Sequence, residues 1–279
     1  MALFLGIDGG GTGCRAAVAD DAGRILGTGR AGPANVNSDP DGALSNVLAA
    51  TAEALDGTGA RPQDLIAVLG LAGANVTSAA QALATALPFA QSHVVTDAVT
   101  AARGALGDTD GIVAAIGTGS VFAVCRGGRL RQYGGRGFVL GDEGSGAVMG
   151  RMLLARALRA EDGFEPMTPL LRTVLQDMGG IEGVIRFASS NPPAAFAALM
   201  PRLLGADDPA ALSVLAAGVA DVRAILARLQ ADGPLPVVFL GGLGAHYAAA
   251  LAGLWEQRAP LGSGVDGALA MARGLTVGA

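Results

Sequence analysis

Twice along this chain, an apolar segment leads into a turn rich in glycine and threonine, and a second apolar segment follows at once. The first turn spans residues 8–13 and the second spans residues 117–120. Because glycine has no Cβ atom, successive backbone N–H groups can point into one concavity and approach a phosphate. An ordinary hairpin, with Asp8 as its turn-forming residue, has the same composition. The pattern therefore predicts two copies of one hairpin, and phosphate binding is one of two interpretations.

Segments typical of strands alternate with segments of helical periodicity in the first part of the chain. The strands are expected at residues 3–7, 15–20, 24–29, 65–71 and 92–96, and the helices at about 40–55, 78–87 and 98–106. Asp39, directly before Pro40, is the expected N-cap of the first helix. Strands that alternate with helices indicate an α/β sheet with at least some parallel strands.

A second cycle of the same kind begins at Gly111. Strands are expected at residues 112–116, 121–126 and 129–133, mostly helices from 145 to about 229, a strand at 237–240, and helices at about 246–256 and 265–275. The two cycles predict an internal duplication with its boundary near residues 106–110. A length of 279 residues also suggests about two domains.

Charge and composition exclude several classes of protein. The net charge is −5 without a basic patch, which argues against nucleic-acid binding. No run of about 18 apolar residues and no signal peptide are visible, so we expect a cytoplasmic protein that does not span a membrane. The two cysteines, Cys14 and Cys125, are too few for a disulfide framework or a four-cysteine metal site, and small core residues are expected there.

All 19 basic residues are arginine, and the chain has no lysine. A lysine base, a Schiff base and a phosphate-binding lysine are thereby excluded. His93 and His246 are not spaced as a pair of metal ligands, and we expect each to be structural or at the surface. No Ser-His-Asp arrangement is suggested either.

Several polar residues follow predicted strands. Asp97 lies where the strand at 92–96 ends and a helix begins, so it is either a helix N-cap or a general base facing a crevice at the carboxyl ends of the strands. Asn35 and Asn37 lie in a loop, where their amides satisfy turns or bind a sugar hydroxyl. Asp8 offers a hard oxygen atom suited to Mg²⁺ or its water ligands.

Two further glycine-rich segments have alternative interpretations. Residues 141–146 place two acids between glycines ahead of an apolar helix, which fits either helix capping or the binding of hydroxyl or phosphate groups. Residues 241–244 follow a buried strand, where either a tight turn or a ligand site is expected. A dinucleotide-binding motif is excluded at residues 9–11 because a strand, and no helix, follows the glycines.

The order and spacing of these motifs resemble the N-acetylglucosamine kinase branch of the BadF/BadG/BcrA/BcrD ATPase family, within the actin-like, sugar-kinase and Hsp70-type superfamily. The similarity runs from residue 3 to about residue 274. It implies an α/β fold of two ribonuclease-H-like domains, at residues 1–108 and 109–264, with ATP and a sugar in the cleft between them. A last helix at 265–279 is expected to pack back on the first domain.

The resemblance also implies a role for individual residues. Asp8 corresponds to the aspartate associated with Mg²⁺, and Asp97 to the catalytic aspartate. The first phosphate loop is Gly10, Gly11 and Thr12, the second is Gly117, Thr118 and Gly119, and the loop on the adenosine side contains Gly241 and Gly242. The sugar contacts are Asn35, Asp97, Gly135, Arg136, Gly137 and Asp142.

The chain departs from the family pattern at two positions. Members often carry lysine after the threonine of the first loop, where this chain has Gly13. Members commonly carry tryptophan between the paired glycines of the sugar loop, where this chain has Arg136. The first departure concerns affinity for phosphate, and the second concerns the identity of the sugar.

The function implied by the resemblance is ATP-dependent phosphorylation of an amino sugar, namely N-acetylglucosamine at its 6-hydroxyl, by a homodimer that uses Mg²⁺. Alternatives within the fold are a kinase of glucosamine or another hexosamine, and an ATPase or nucleotide-binding regulator without kinase activity. An activator of a dehydratase would need cysteines for an iron–sulfur cluster. Cys14 and Cys125 lie inside strand-like segments, so this alternative is disfavoured. The ROK sugar kinases are disfavoured because the chain has no cysteine-rich zinc motif.

Overall fold

The computed structural model describes residues 2–275. Its first part contains the elements β1 (Leu3–Gly9), β2 (Cys14–Ala19), β3 (Ile25–Ala31), α1 (Pro40–Leu55), β4 (Leu65–Leu71), α2 (Thr77–Ala86), β5 (Gln91–Thr96) and α3 (Asp97–Leu106). Each lies within two residues of its predicted position. The side chain of Asp39 caps α1 as expected, because its Oδ1 accepts a hydrogen bond of 3.0 Å from the N–H of Gly42.

The second part continues with β6 (Gly111–Ile116), β7 (Ser120–Arg126), β8 (Arg129–Gly134), α4 (Gly146–Glu161), α5 (Pro169–Met178), α6 (Gly180–Ser190), α7 (Pro193–Ala197), α8 (Met200–Leu204), α9 (Pro209–Leu229), β9 (Val237–Leu240), α10 (Gly244–Ala250) and α11 (Gly264–Gly274). The strands form two sheets, with the orders β3-β2-β1-β4-β5 and β8-β7-β6-β9. In each sheet, three consecutive strands lie side by side, and a later strand pairs with the first of the three. A duplicated unit predicts this repetition. The α/β fold class is confirmed.

The first sheet combines both strand directions. Strand β1 pairs antiparallel with β2 and parallel with β4, and β4 pairs parallel with β5. The carboxyl ends of β1, β4 and β5 therefore lie at one edge of the sheet. This edge positions the candidate site in this part of the chain.

Helices cover both faces of the first sheet because its strands are apolar on both sides. Leu5, Ile7 and their neighbours pack with residues of α1 and α2 on one face. Phe4 and Val68 pack with Leu269 of α11 on the other face. Side chains alternate between the two faces along a strand, and Asp8 follows Phe4 by four residues. The side chain of Asp8 therefore lies on the same face as Phe4, against α11.

The chain divides into two compact units. Within the described residues, the first unit contains residues 2–113, 123–132 and 259–275, and the second contains residues 114–122 and 133–258. Helix α11 packs against α3 and β1 within the first unit. The domain boundaries at 108 and 264 stay predictions, and residues 276–279 of the expected last helix lie outside the described residues.

One expectation from the sequence is wrong. Helix α10 ends at Ala250, not near residue 256, because Gly253 adopts a φ of 80° and the chain then pairs Gln257 with Val237. Separately, helix α9 is long and apolar enough to cross a membrane by length and composition alone, and 33% of its apolar window is buried. The core helices of soluble proteins pass the same test, and buried residues of α9 such as Val214 and Leu226 belong to the core.

Candidate functional site

The first unit brings two predicted site residues, Asp8 and Asp97, to the same edge of its sheet. Asp8 is near the end of β1, opposite Gly70 of β4 in the register. Asp97 directly follows β5, whose last residue, Thr96, is opposite Leu71 of β4. The two carboxylates therefore flank the carboxyl end of β4, which is the place where α/β sheets bind ligands.

Asp97 is the first residue of α3, one position after the N-cap Thr96. Its Oδ1 accepts a hydrogen bond of 2.9 Å from the N–H of Ala98. Burial raises the pKa of Asp97 above its usual value, and the negative charge of Asp8 raises it further. A carboxylate with a raised pKa is a stronger proton acceptor, so the environment of Asp97 suits a general base.

Asp8 has two close neighbours on the α11 face. Nη2 of Arg15, on β2, lies 2.6 Å from Oδ2 of Asp8. At the N-terminus of α11, a Cβ atom placed on Gly264 would lie 2.7 Å from Cγ of Asp8. The helix therefore begins directly against the carboxylate, and its N-terminus attracts negative charge there.

The first glycine turn is closed by a hydrogen bond of 2.9 Å from the N–H of Gly10 to the carbonyl of Gly13. A Cβ atom on Gly11 would meet no atom within 4 Å, and one on Gly10 would meet only the carbonyl of Gly13, at 4.0 Å. Neither glycine has a positive φ. Backbone geometry and packing therefore do not require glycine here, whereas the close approach of a ligand to the backbone would.

Asn35 lies beside the end of β4, because it forms an isolated parallel bridge with Ala72. Its Oδ1 accepts hydrogen bonds from the N–H groups of Asn37, at 3.0 Å, and Ser38, at 3.1 Å. The amide oxygen thus stabilises its own turn, as one of the two interpretations predicted. Asn35 lies beside the end of the strand that separates β1 from β5, and this place is compatible with the sugar contact that the resemblance implies.

The second glycine turn lies in the second unit, against the N-terminus of α4. The N–H of Gly146 donates to the carbonyl of Gly117 at 2.8 Å, and the N–H of Ala147 donates to the carbonyl of Thr118 at 3.1 Å. A Cβ atom on Gly119 would lie 2.8 Å from Oδ2 of Asp142. The helix and the aspartate thus fix the shape of this loop.

The segment after β9 approaches the same loop. The N–H of Leu243 donates to the carbonyl of Ile116 at 3.0 Å, and a Cβ atom on Gly117 would lie 3.7 Å from the backbone nitrogen of Gly242. Gly241 has a φ of 83° and no room for a side chain beside Ile116, so its glycine is structural. A Cβ atom on Gly242 would meet nothing within 4 Å. Gly242 therefore has open space beside it for a ligand.

The predicted sugar residues of the second unit form one loop around Asp142. This aspartate is 8% exposed and has a φ of 60°. Burial raises its pKa, and hydrogen bonds from the backbone of Gly137 and Ser120 oppose that rise. Gly135 donates its N–H to the carbonyl of Ser120 at 3.2 Å, and Arg136 is exposed. Asp142 therefore ties the sugar loop to the second glycine turn.

The cysteines and histidines carry no visible chemistry. Cys14 and Cys125 are both buried, as expected, and burial raises the pKa of Cys14 to about 12. Cys14 lies in β2 and Cys125 in β7, where each packs as a small core residue. Burial lowers the pKa of His246, which favours a neutral ring.

Residues 2–275 contain no group of three or more His, Cys, Asp or Glu side chains able to cage a metal ion. Mg²⁺ bound with a nucleotide needs only one or two carboxylates, since phosphates and water complete its shell. Asp8, beside the open backbone of Gly10 and Gly11, fits that requirement. The residues present are therefore suited to a magnesium–nucleotide complex.

Sequence reasoning missed two neighbours of Asp8. The register of the β1–β2 hairpin, which pairs Asp8 with Arg15, could have identified the first. Nothing local marks Gly264, which meets Asp8 only through the packing of α11.

The sequence profile of the BadF/BadG/BcrA/BcrD ATPase family matches residues 5–255 of this chain. The glucosamine kinase GspK of Vibrio cholerae is 33% identical over 251 residues, which is 87% of this chain and 85% of that protein. This chain belongs to the BadF/BadG/BcrA/BcrD ATPase family. The resemblance inferred from the motifs is thus confirmed.

Solved structures agree with this assignment. A candidate N-acetylglucosamine kinase from Chromobacterium violaceum matches with a TM-score of 0.87 and 31% identity, over 98% of this chain and 99% of that one. A ROK-family glucokinase from Streptomyces griseus, in complex with glucose and AMPPNP, matches with a TM-score of 0.57 and 20% identity, over 98% and 99% of the two chains. The second likeness concerns the fold alone. The predicted architecture of the actin-like ATPase and sugar-kinase type is confirmed.

Proposed function

We propose that this member of the family is an ATP-dependent amino-sugar kinase that phosphorylates N-acetylglucosamine at its 6-hydroxyl. The observation that carries the proposal is the half-buried Asp97, which lies with Asp8 at the edge of the first sheet where its parallel strands end. The similarity to a glucosamine kinase over most of both chains supports the same reaction class.

Asp97 is the proposed general base. Its carboxylate accepts the proton of the sugar hydroxyl while the hydroxyl oxygen attacks the γ-phosphorus of ATP, and ADP leaves. The hydrogen bond from Ala98 orients Oδ1, which leaves Oδ2 for the hydroxyl. Positioning of this kind and electrostatic stabilisation provide most of the catalysis in phosphoryl transfer.

The glycine turns are the proposed phosphate loops. Gly10, Gly11 and Thr12 form the first proposed loop, and Gly117, Thr118 and Gly119 form the second. Gly241 shapes the turn on the adenosine side, and Gly242 contacts the nucleoside. Mg²⁺, when bound near Asp8, neutralises charge on the phosphate oxygens.

The sugar contacts remain those that the family pattern implies, namely Asn35, Asp97, Gly135, Arg136, Gly137 and Asp142. Asp142 is buried and bonded to its own loop, so we assign its effect on the sugar to the shape of the loop as much as to direct contact. Arg136 is exposed and free to face a ligand.

Glucosamine is the second candidate substrate, because the Vibrio cholerae relative is named a glucosamine kinase. Coupled ADP release should be measured with N-acetylglucosamine, glucosamine, N-acetylmannosamine, N-acetylmuramic acid and glucose. We expect the highest kcat/KM for N-acetylglucosamine. ADP release that no sugar stimulates would leave a nucleotide-binding regulator or ATPase as the function, and would contradict the kinase proposal.

Asp97→Asn tests the proposed base. Turnover should fall by roughly 10²–10⁴-fold, while nucleotide binding stays nearly intact. Asp41→Asn is the matched control, because Asp41 is an exposed acid in the first turn of α1. Near-normal turnover of Asp97→Asn would contradict the assignment.

The proposed setting is a cytoplasmic homodimer that depends on Mg²⁺. The dimer is tested by light scattering of the purified protein. The metal is tested by the loss of ADP release in EDTA and its recovery with Mg²⁺.

A further inference from the structure

A row of three charged residues crosses the first sheet beside the first glycine turn. In the strand register, Asp8 is opposite Arg15, and Arg15 is opposite Arg30. Residues opposite one another in a sheet present their side chains on the same face. One carboxylate and two guanidinium groups therefore lie side by side on the α11 face.

This row borders a cavity of about 410 Å³, which is within the usual range for small-molecule sites. The lining includes Asp8, Gly10, Thr12, Gly13, Arg15 and Arg30. The walls thus combine backbone amides of the turn, a hydroxyl group and two positive charges. That set of groups is suited to an anion with several oxygen atoms.

The ion pair within the row is easily exchanged. The side chain of Arg15 is 57% exposed, whereas that of Asp8 is 15% exposed. Water reaches the guanidinium group and screens part of its attraction to the carboxylate. Arg15 donates to Asp8 through Nη2, whereas a guanidinium group has five N–H donors. The remaining donors can bind a second anion.

We propose that Arg15 binds the β-phosphate of the nucleotide. Its guanidinium group supplies the positive charge that a lysine in place of Gly13 would provide. This inference rests on the proposed function, because it assigns a residue to the same nucleotide site. Before the nucleotide binds, Arg15 neutralises Asp8. When the nucleotide binds, the guanidinium group turns to the phosphate and leaves the carboxylate for the metal.

The proposal gives Arg15 a direct role that does not require the metal. The test therefore measures ADP affinity by calorimetry in EDTA, with the full-length protein. Arg15→Gln should weaken ADP binding by at least about tenfold, as expected for the loss of a charged hydrogen bond. Arg15→Lys should bind with intermediate affinity, because it keeps the charge and loses the fork of donors.

Asp8→Asn gives a second readout in the opposite direction. Without metal, this change removes a negative charge from the phosphate site and frees Arg15, so ADP affinity in EDTA should rise. Arg61→Gln is the matched control, because Arg61 pairs with Asp64 in the same unit at 3.2 Å and does not line the cavity. It should leave ADP affinity unchanged.

Three results would overturn the inference. The first is ADP affinity of Arg15→Gln within twofold of the wild type. The second is a loss that appears only with Mg²⁺, because Arg15 would then act only by positioning Asp8. The third, which stands even if Arg15→Gln does not fold, is wild-type affinity of Arg15→Lys together with no gain for Asp8→Asn. The proposed function fails separately, if the wild-type protein shows no sugar-dependent ADP release.

Discussion

Gly264 lies so close to Asp8 that a methyl group on it would be 2.7 Å from the carboxylate carbon and 2.9 Å from both carboxylate oxygens. Real side chains do not approach each other to this extent, so glycine is the only residue that fits here without displacing Asp8. The contact fixes the carboxylate between the N-terminus of α11 and Arg15. The position of the proposed metal ligand thus depends on a residue near the other end of the chain.

Gly264→Ala should weaken the binding of Mg²⁺ more than it lowers the stability of the fold. The methyl group must displace Asp8 or the start of α11, which costs about 1–3 kcal/mol in a packed region. We expect the Mg²⁺ concentration for half-maximal ADP release to rise, with a modest loss of melting temperature. A magnesium titration of the activity measures the first effect, and thermal unfolding measures the second.

Gly274→Ala is the control for this prediction. It makes the same change in the same helix, at a position where the new Cβ atom would meet nothing within 4 Å. Magnesium dependence should stay at the wild-type value in this control. An unchanged magnesium titration of Gly264→Ala would contradict the prediction, because the activity would then not depend on the exact position of Asp8.

The environment of Asp97 predicts the acid side of the pH–rate profile. The proposed base must be deprotonated to act, and burial and Asp8 both raise its pKa above the ordinary 3.8. The value of kcat/KM should therefore fall as the pH decreases through an apparent pKa above 3.8. An acid limb at the ordinary value of an aspartate would contradict the assignment.

The same raised pKa predicts a stability effect. The folded state holds the proton of Asp97 more tightly than the unfolded state, so its contribution to stability is complete at low pH and is lost as the pH rises through the folded-state pKa. Asp97→Asn carries no charge and escapes this loss. It should therefore unfold at a higher temperature than the wild type at pH 7, and the difference should shrink as the pH approaches 3.8. A variant that is less stable at pH 7 would contradict the predicted cost of burial.

The sequence was sufficient where the signal is local. Strand β4, with its uninterrupted apolar residues, was predicted at Leu65–Leu71 to the residue, and the cap at Asp39 was predicted from its side chain and the proline that follows. The alternation of strands and helices also predicted the fold class. In each of these cases, neighbouring residues alone determine the outcome.

Long-range packing explains the failures. The apolar pattern of α10 continues past Ala250, but Gly253 turns the chain so that Gln257 can pair with Val237. The contact of Gly264 with Asp8 was missed, because the two residues are far apart in the sequence. Neither result follows from the neighbouring residues alone, because each depends on a contact with a segment that is distant in the sequence.

Gly241 and Gly242 are neighbours that should respond differently to alanine. Gly241→Ala places a methyl group against the carbonyl of Ile116 at a φ of 83°, so it should lower the melting temperature by several degrees. Gly242→Ala meets open space and should leave the melting temperature unchanged while it weakens ATP binding. Thermal unfolding and nucleotide titration of both variants separate the two effects. Unchanged ATP affinity of Gly242→Ala would remove this residue from the proposed nucleotide site.

Arg136→Trp tests the proposed sugar loop through the charge of the substrate. Glucosamine carries an ammonium group near neutral pH, and an arginine close to the bound sugar would repel it, whereas N-acetylglucosamine is uncharged. The variant should therefore lower KM for glucosamine more than KM for N-acetylglucosamine at pH 7. The advantage should disappear at a pH where the amine is neutral, and KM for ATP should not change. Equal changes in KM for both sugars at pH 7 would show that Arg136 does not act through its charge.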